Sequence, residues 1–147
     1  MWIDAQKVAA PERSQFDFWL GSWRVYQEIG AEVSGRNEIA WVLDDAVLQE
    51  RFTAGTDPFA GWSFSVPVAG RGWVQTWVDS TGGYLDFAGG WLGDRMVLER
   101  ATGQADPVRQ RMTWHCISRD ALLWDWAYLA EGRSEWDLKW RLRYERA

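Results

Sequence analysis

The chain has one cysteine, Cys116, and one histidine, His115. A lone thiol excludes an internal disulfide, and a reducing cytoplasm is the expected location. One imidazole is too few for a clustered zinc site, so no metal is expected. Neighbours on a strand point to opposite faces, so His115 and Cys116 are not expected to meet. No apolar run reaches the roughly 18 residues of a membrane span, and Met1 to Arg13 lacks the apolar core of a secretory signal. Positive charge is scarce as well: 16 Lys and Arg stand against 21 Asp and Glu, for a net charge of −5. A phosphate-binding surface needs clustered cations. The nearest approach to one is Lys139, Arg141, Arg143 and Arg146, and the first three alternate with aromatic or aliphatic residues, as the solvated face of a strand does. Neither a nucleic acid nor a membrane is expected as a partner. The Gly-x-Ser-x-Gly elbow of a serine hydrolase is missing. Gly70-Arg71-Gly72 and Gly89-Gly90 fit neither a phosphate loop nor a dinucleotide fingerprint, so no cofactor is expected.

What the chain has instead is tryptophan, thirteen in 147 residues. Each brings roughly 150–250 Å² of flat surface to bury. A small helical bundle places so many wide side chains poorly, whereas a barrel or sandwich with a broad interior accommodates them. The length suits a single domain with a sizeable core.

Periodicity supports the barrel. Residues 1–13 read as a leader broken at Pro11, and 14–21 as a short helix with Ser14 as N-cap and Gly21 as terminator. From 22 to 146 the apolar period is two. Ten strands are expected, at about 22–30, 35–43, 47–54, 62–66, 72–78, 84–88, 94–100, 110–117, 122–129 and 136–145. The joints carry turn residues such as Asp44-Asp45, Asp57-Pro58, Thr81-Gly82-Gly83, Gly93-Asp94, Asp106-Pro107 and Glu131-Gly132. Short strands at about ten-residue spacing indicate an antiparallel up-and-down barrel. Alternation turns inward Trp136, Leu138, Trp140, Leu142 and Tyr144 of the last strand, with Asp137, Lys139, Arg141, Arg143 and Glu145 outward. It likewise selects Trp124, Trp126 and Tyr128; Met112, Trp114 and Cys116; Trp23 with Val25; Ile39 with Trp41; Leu48 with Phe52; Trp73 with Trp77; and Met96 with Leu98.

The opening Phe16-Asp17-Phe18-Trp19-Leu20-Gly21-Ser22-Trp23 resembles the short helical turn and Gly-x-Trp of lipocalin and calycin barrels. That resemblance implies that Trp23 sits at the closed end beneath an arginine of the last strand, with Arg146 as the candidate and Arg143 second. More specifically, the chain resembles a group of uncharacterised bacterial lipocalin-like proteins. The shared residues are Gly35, Asn37 and Ile39; Glu50; Trp73, Gln75, Trp77, Val78 and Asp79; Met96, Val97 and Leu98; and Tyr144 with Arg146. Asp45-Ala46-Val47 stands where that pattern has Gly-Cys-Val, and similarity is looser after Trp124. The resemblance implies a lipocalin-like fold and, for function, ligand binding inside a barrel.

Inward polar groups are the informative ones, because burying a polar group is costly unless it is partnered. Asn37, Glu50 and Gln75 share faces with apolar neighbours. They are candidate anchors of an aromatic pocket walled by Trp77, Trp114, Trp126 and Tyr128; alternatively, they serve structure alone. The leading expectation is a binding barrel for a small apolar or aromatic molecule. A second is a barrel enzyme (cyclase, isomerase or lyase) with Glu50 as general acid or base, in which Asp79 is a candidate for a second inward titratable group. A third is haem binding through His115, although alternation sends His115 outward. A fourth is an association module, a possible homodimer, with Trp62 and Trp91 as exposed aromatics.

Overall fold

A computed structural model describes residues 9–30, 34–56, 58–101 and 108–147. The first eight residues of the expected leader and the expected turn residues Asp57, Asp106 and Pro107 lie outside the described residues. A 3-10 helix, Arg13–Trp19, precedes ten strands. They are β1 (Gly21–Ile29), β2 (Gly35–Val42), β3 (Val47–Ala54), β4 (Ala60–Val68), β5 (Gly72–Asp79), β6 (Tyr84–Trp91), β7 (Met96–Ala101), β8 (Arg109–His115), β9 (Ala121–Leu129) and β10 (Asp137–Arg146). Each strand pairs antiparallel with its sequence neighbours, and β1 pairs with β10 to close the barrel. This is the all-β up-and-down barrel expected from the alternation, an architecture consistent with a lipocalin-like fold. Among the described residues no helix is long and apolar enough to cross a membrane.

The two ends of the barrel differ. The 3-10 helix closes the end where β1 begins and β10 finishes. Its N-cap is Glu12 rather than Ser14, and no side chain caps it. What holds the helix is packing. Phe16 is fully buried and meets Trp73 and Trp114 edge to face at 4.8 and 5.4 Å. Trp19 meets Trp114 at 5.2 Å. Trp23 donates its indole N–H to the Trp19 carbonyl at 2.8 Å. The Arg146 guanidinium lies over the Trp23 ring at 4.1 Å and donates to the Leu20 and Arg119 carbonyls at 2.7 and 2.9 Å. One charged side chain therefore ties the last strand to both the helix exit and the first strand. Trp91, expected as an exposed aromatic, instead packs against Phe18 at 5.6 Å as part of this plug. At the β2–β3 turn Asp45 has φ 58°, a left-handed conformation that Asp tolerates better than most residues. That explains how the turn forms without the glycine of the resembled pattern.

Alternation fails at β10. A bulge between Leu138 and Trp140 puts Leu138 opposite Ala127 and Trp140 opposite Trp126. Each bulge residue shifts the side-chain phase of the strand by one. Leu138 and Trp136, expected inside, therefore lie on the outer wall, where Arg111 caps the Trp136 ring at 4.0 Å. Trp140 keeps the inward phase but is 37% exposed, at the rim of the open end. Cys116 also departs from expectation. The strand stops at His115, and Cys116 takes φ 49°, which exposes its side chain and brings Sγ to 3.5 Å from His115 Nδ1. On the outer wall Trp62 remains exposed, cross-strand from Val78, which in turn pairs with Tyr84.

A candidate ligand cavity

A cavity of about 960 Å³ occupies the barrel interior and opens at the end opposite the helix. The tryptophans therefore line the space rather than fill it. Trp19, Trp23, Trp41, Trp73, Trp91 and Trp114 crowd the closed end, while Trp77, Trp124, Trp126 and Trp140 line the walls above it.

The polar side is built on β2, β3, β4 and β5. Asn37, Glu50 and Gln75 are all buried, as alternation requires. Asn37 Nδ2 donates to Glu50 Oε2 at 2.6 Å and to the Tyr144 hydroxyl at 2.9 Å. Ser63 Oγ donates to Glu50 Oε1 at 2.7 Å, and Gln75 Nε2 donates to Ser65 Oγ at 3.0 Å. The register dictates these meetings, since Ser63 is the cross-strand partner of Glu50 and Ser65 that of Gln75. Ser63 and Ser65 were not singled out from the sequence. The available signal was the pairing of β4 with β3 and with β5, which puts a hydroxyl beside Glu50 and another beside Gln75. Asn37 Oδ1 is buried without a partner among the described residues.

Burial pushes the Glu50 carboxyl above the ordinary carboxylate range, and the hydrogen bonds from Asn37 and Ser63 only partly offset it. Burial, and then the nearby Glu50 charge, pushes the Tyr144 phenol upward. Tyr144 is therefore a neutral hydroxyl that lines the cavity at ordinary pH. Asp79 is differently occupied. It accepts from Thr81 Oγ1 at 2.6 Å, from the Thr81 and Gly83 amides at 2.9 and 3.0 Å, and from the Trp77 indole at 3.0 Å. The Thr81 hydroxyl, the Trp77 indole and these amides hold its pKa down to about 2. Asp79 lines the same cavity but fixes a hairpin turn and the pose of Trp77, and it makes no hydrogen bond with Glu50. The Trp-x-Gln-x-Trp-Val-Asp stretch is thus one inward face of β5, running from the plug (Trp73) through the polar strip (Gln75) to the wall (Trp77) and its brace (Asp79).

The aromatic side, on β9, lies four strands around the ring from Glu50 on β3. Trp124 and Trp126 are parallel, with centroids 6.3 Å apart and planes 8° apart. Trp126 meets Phe87 and Tyr128 edge-on at 5.8 and 5.7 Å. Trp114 forms the bottom of this wall and is shared with the plug. Trp77 lies flat over Gly61, where an added Cβ would come within 2.1 Å of Cζ2. Thus Asn37, Glu50, Gln75, Trp77, Trp114, Trp126 and Tyr128 all belong to one interior, with Asn37 set behind Glu50 rather than on the cavity surface. His115 is on the outer wall, 3.0 Å from Asp125, whose other oxygen takes the Arg141 guanidinium at 2.8 Å. From there it cannot ligate a group held inside the barrel. Among the described residues no set of three or more His, Cys, Asp or Glu converges as metal ligands. No protein-family model and no curated protein matches this chain.

Proposed function

We propose that the protein binds a small, flat aromatic or apolar molecule inside the barrel and belongs with the bacterial lipocalin-like proteins that its opening and β5 motif resemble. One observation carries this reading: an open interior of about 960 Å³ with indole walls and a single buried polar strip. That volume is near the upper end of the roughly 300–1,000 Å³ typical of small-molecule sites. Trp126 and Trp124 offer a face for offset stacking. Gln75, already donating one N–H to Ser65, keeps its second N–H and its carbonyl for a ligand. The neutral Tyr144 hydroxyl accepts from Asn37 and keeps a proton to donate. Binding without chemistry is favoured over catalysis because Asp79 is committed to its turn and Tyr144 is a poor acid.

Titrating the protein with bicyclic aromatic probes, 2-naphthol and quinoline among them, should quench tryptophan fluorescence saturably at one site per chain. Gln75→Ala should weaken the tightest probe by roughly 3- to 10-fold, the worth of one or two neutral hydrogen bonds. Absence of saturation with every probe overturns the reading.

A further inference from the structure

Glu50 is the least ordinary group in the cavity. Each of its oxygens accepts one hydrogen bond, from Ser63 and Asn37. A carboxylate offers about four lone-pair sites, so two are left, and the group reaches the cavity surface. Among the described residues no ion pair answers its charge: Arg143, a cation on the same cavity lining, is paired with Glu28 and Glu145. From β2 Glu50 meets Asn37 and Ile39, from β4 Ser63, and from β10, through Asn37, Tyr144. Of these only Tyr144 titrates, and it carries no positive charge. Asp79 on β5, also on the cavity lining, is an anion held by its own turn. Arg100 on β7, inward by register, is tied to Gln110 Oε1 at 2.6 Å and makes no ion pair with Glu50. Among the described residues, no Lys, Arg or His pairs with this carboxylate.

We infer that the ligand is an aromatic organic cation, whose ammonium or protonated ring nitrogen pairs with Glu50 while its ring lies against Trp126 and Trp124. The inference rests on the binding function proposed above and deepens it. An ionised carboxylate in an apolar surround is costly without a countercharge. A cationic ligand supplies that charge at the two free lone pairs. The walls favour the same sign, because the faces of indole and phenyl rings carry negative potential and attract ammonium groups. A carboxylate ligand would meet repulsion from both Glu50 and the ring faces. A neutral ligand would leave Glu50 unpaired. In the empty barrel burial moves this carboxyl toward holding its proton, which lessens the cost at pH below its folded pKa. Below that pKa cation binding expels the proton: the bound state holds Glu50 as carboxylate and the ligand as ammonium, and one proton passes to the buffer.

Three probes of nearly equal shape separate the cases: 2-(1-naphthyl)ethylamine, 2-(1-naphthyl)ethanol and 1-naphthylacetate, titrated calorimetrically into the intact protein. The amine should bind at least about tenfold tighter than the alcohol, and the carboxylate should bind most weakly. Below the pKa of empty Glu50, amine affinity should fall by about tenfold per pH unit while alcohol affinity stays flat. In that same pH range, heats measured in buffers of different ionisation enthalpy should report proton release for the amine alone. Glu50→Gln should bring amine and alcohol within about twofold, and the wild-type pH dependence provides the same test without a variant. If the alcohol matches the amine, or the carboxylate binds best, the cation inference fails and the aromatic pocket survives. If none of the three binds, the pocket fails with it.

Discussion

Glu50 should leave a signature in stability as well as in binding. In the unfolded chain it titrates at its ordinary value of 4.5, and in the barrel it holds its proton to higher pH. Well below the ordinary value both states are protonated and no penalty applies. As pH rises past it, the unfolded chain releases the proton while the folded one keeps it, so stability falls until the folded value is reached and stays reduced above. Glu50→Gln, which carries no charge, should therefore melt higher than wild type at neutral pH, with the gap closing by about pH 4. A gap independent of pH between about 4 and 8 in thermal melts refutes a buried, charge-penalised carboxyl. Parity alone exposed this residue in the sequence, along with Asn37 and Gln75, because a polar group in phase with Leu48 and Phe52 has nowhere else to point. Ser63 and Ser65 escaped because serine occurs on either face of a strand; only the register of β4 against β3 and β5 gives them meaning. Asp79 was misleading for the opposite reason. Its position at a strand end allows an inward aim, and three donors of the Thr81–Gly83 turn draw it away.

Between elements, one close fit in the cavity wall is Trp77 of β5 against Gly61 of β4. Any Cβ at that position must displace the indole, and the indole is also braced through Asp79. Gly61→Ala should cost about 1–3 kcal/mol, the usual penalty for an overpacked site, and should shift the tryptophan emission as Trp77 leaves its place. Unchanged denaturant midpoint and emission would show that the wall yields freely. The strand boundaries themselves were close to those expected from period and turn residues, because alternation and Gly or Asp joints agree along most of the chain. The exceptions are β1, whose register shifts between Gln27 and Ile29, and, with larger effect, β10. Its bulge falls at Lys139 with no glycine to announce it, so Trp136 and Leu138 carry an inward pattern yet cover the outside of Ala127. Strict alternation is sound only while no residue is added to one side of a ladder.

At the scale of the molecule, the barrel divides into a sealed half and a hollow half. The seal depends on Phe16, wedged between Trp73 and Trp114, and on the Arg146 clasp over Trp23. Phe16→Ala removes a fully buried ring between strands β5 and β8 and should cost about 3–5 kcal/mol, read as a lower urea midpoint with an unchanged slope. A loss below about 1 kcal/mol would mean that the helix is an ornament on a barrel that closes by itself. The sequence showed the seal through Phe-x-Phe-Trp before Gly-x-Trp. It did not show whether thirteen indoles would leave room beside one another, which depends on packing in three dimensions.

That same polarity has a practical outcome. The one sulfhydryl, Cys116, projects from the β8–β9 turn at the sealed pole. A maleimide-bearing support coupled there would anchor every molecule by its base, with the entrance facing away from the solid phase. The fold thus comes with a built-in handle for an oriented sensor layer.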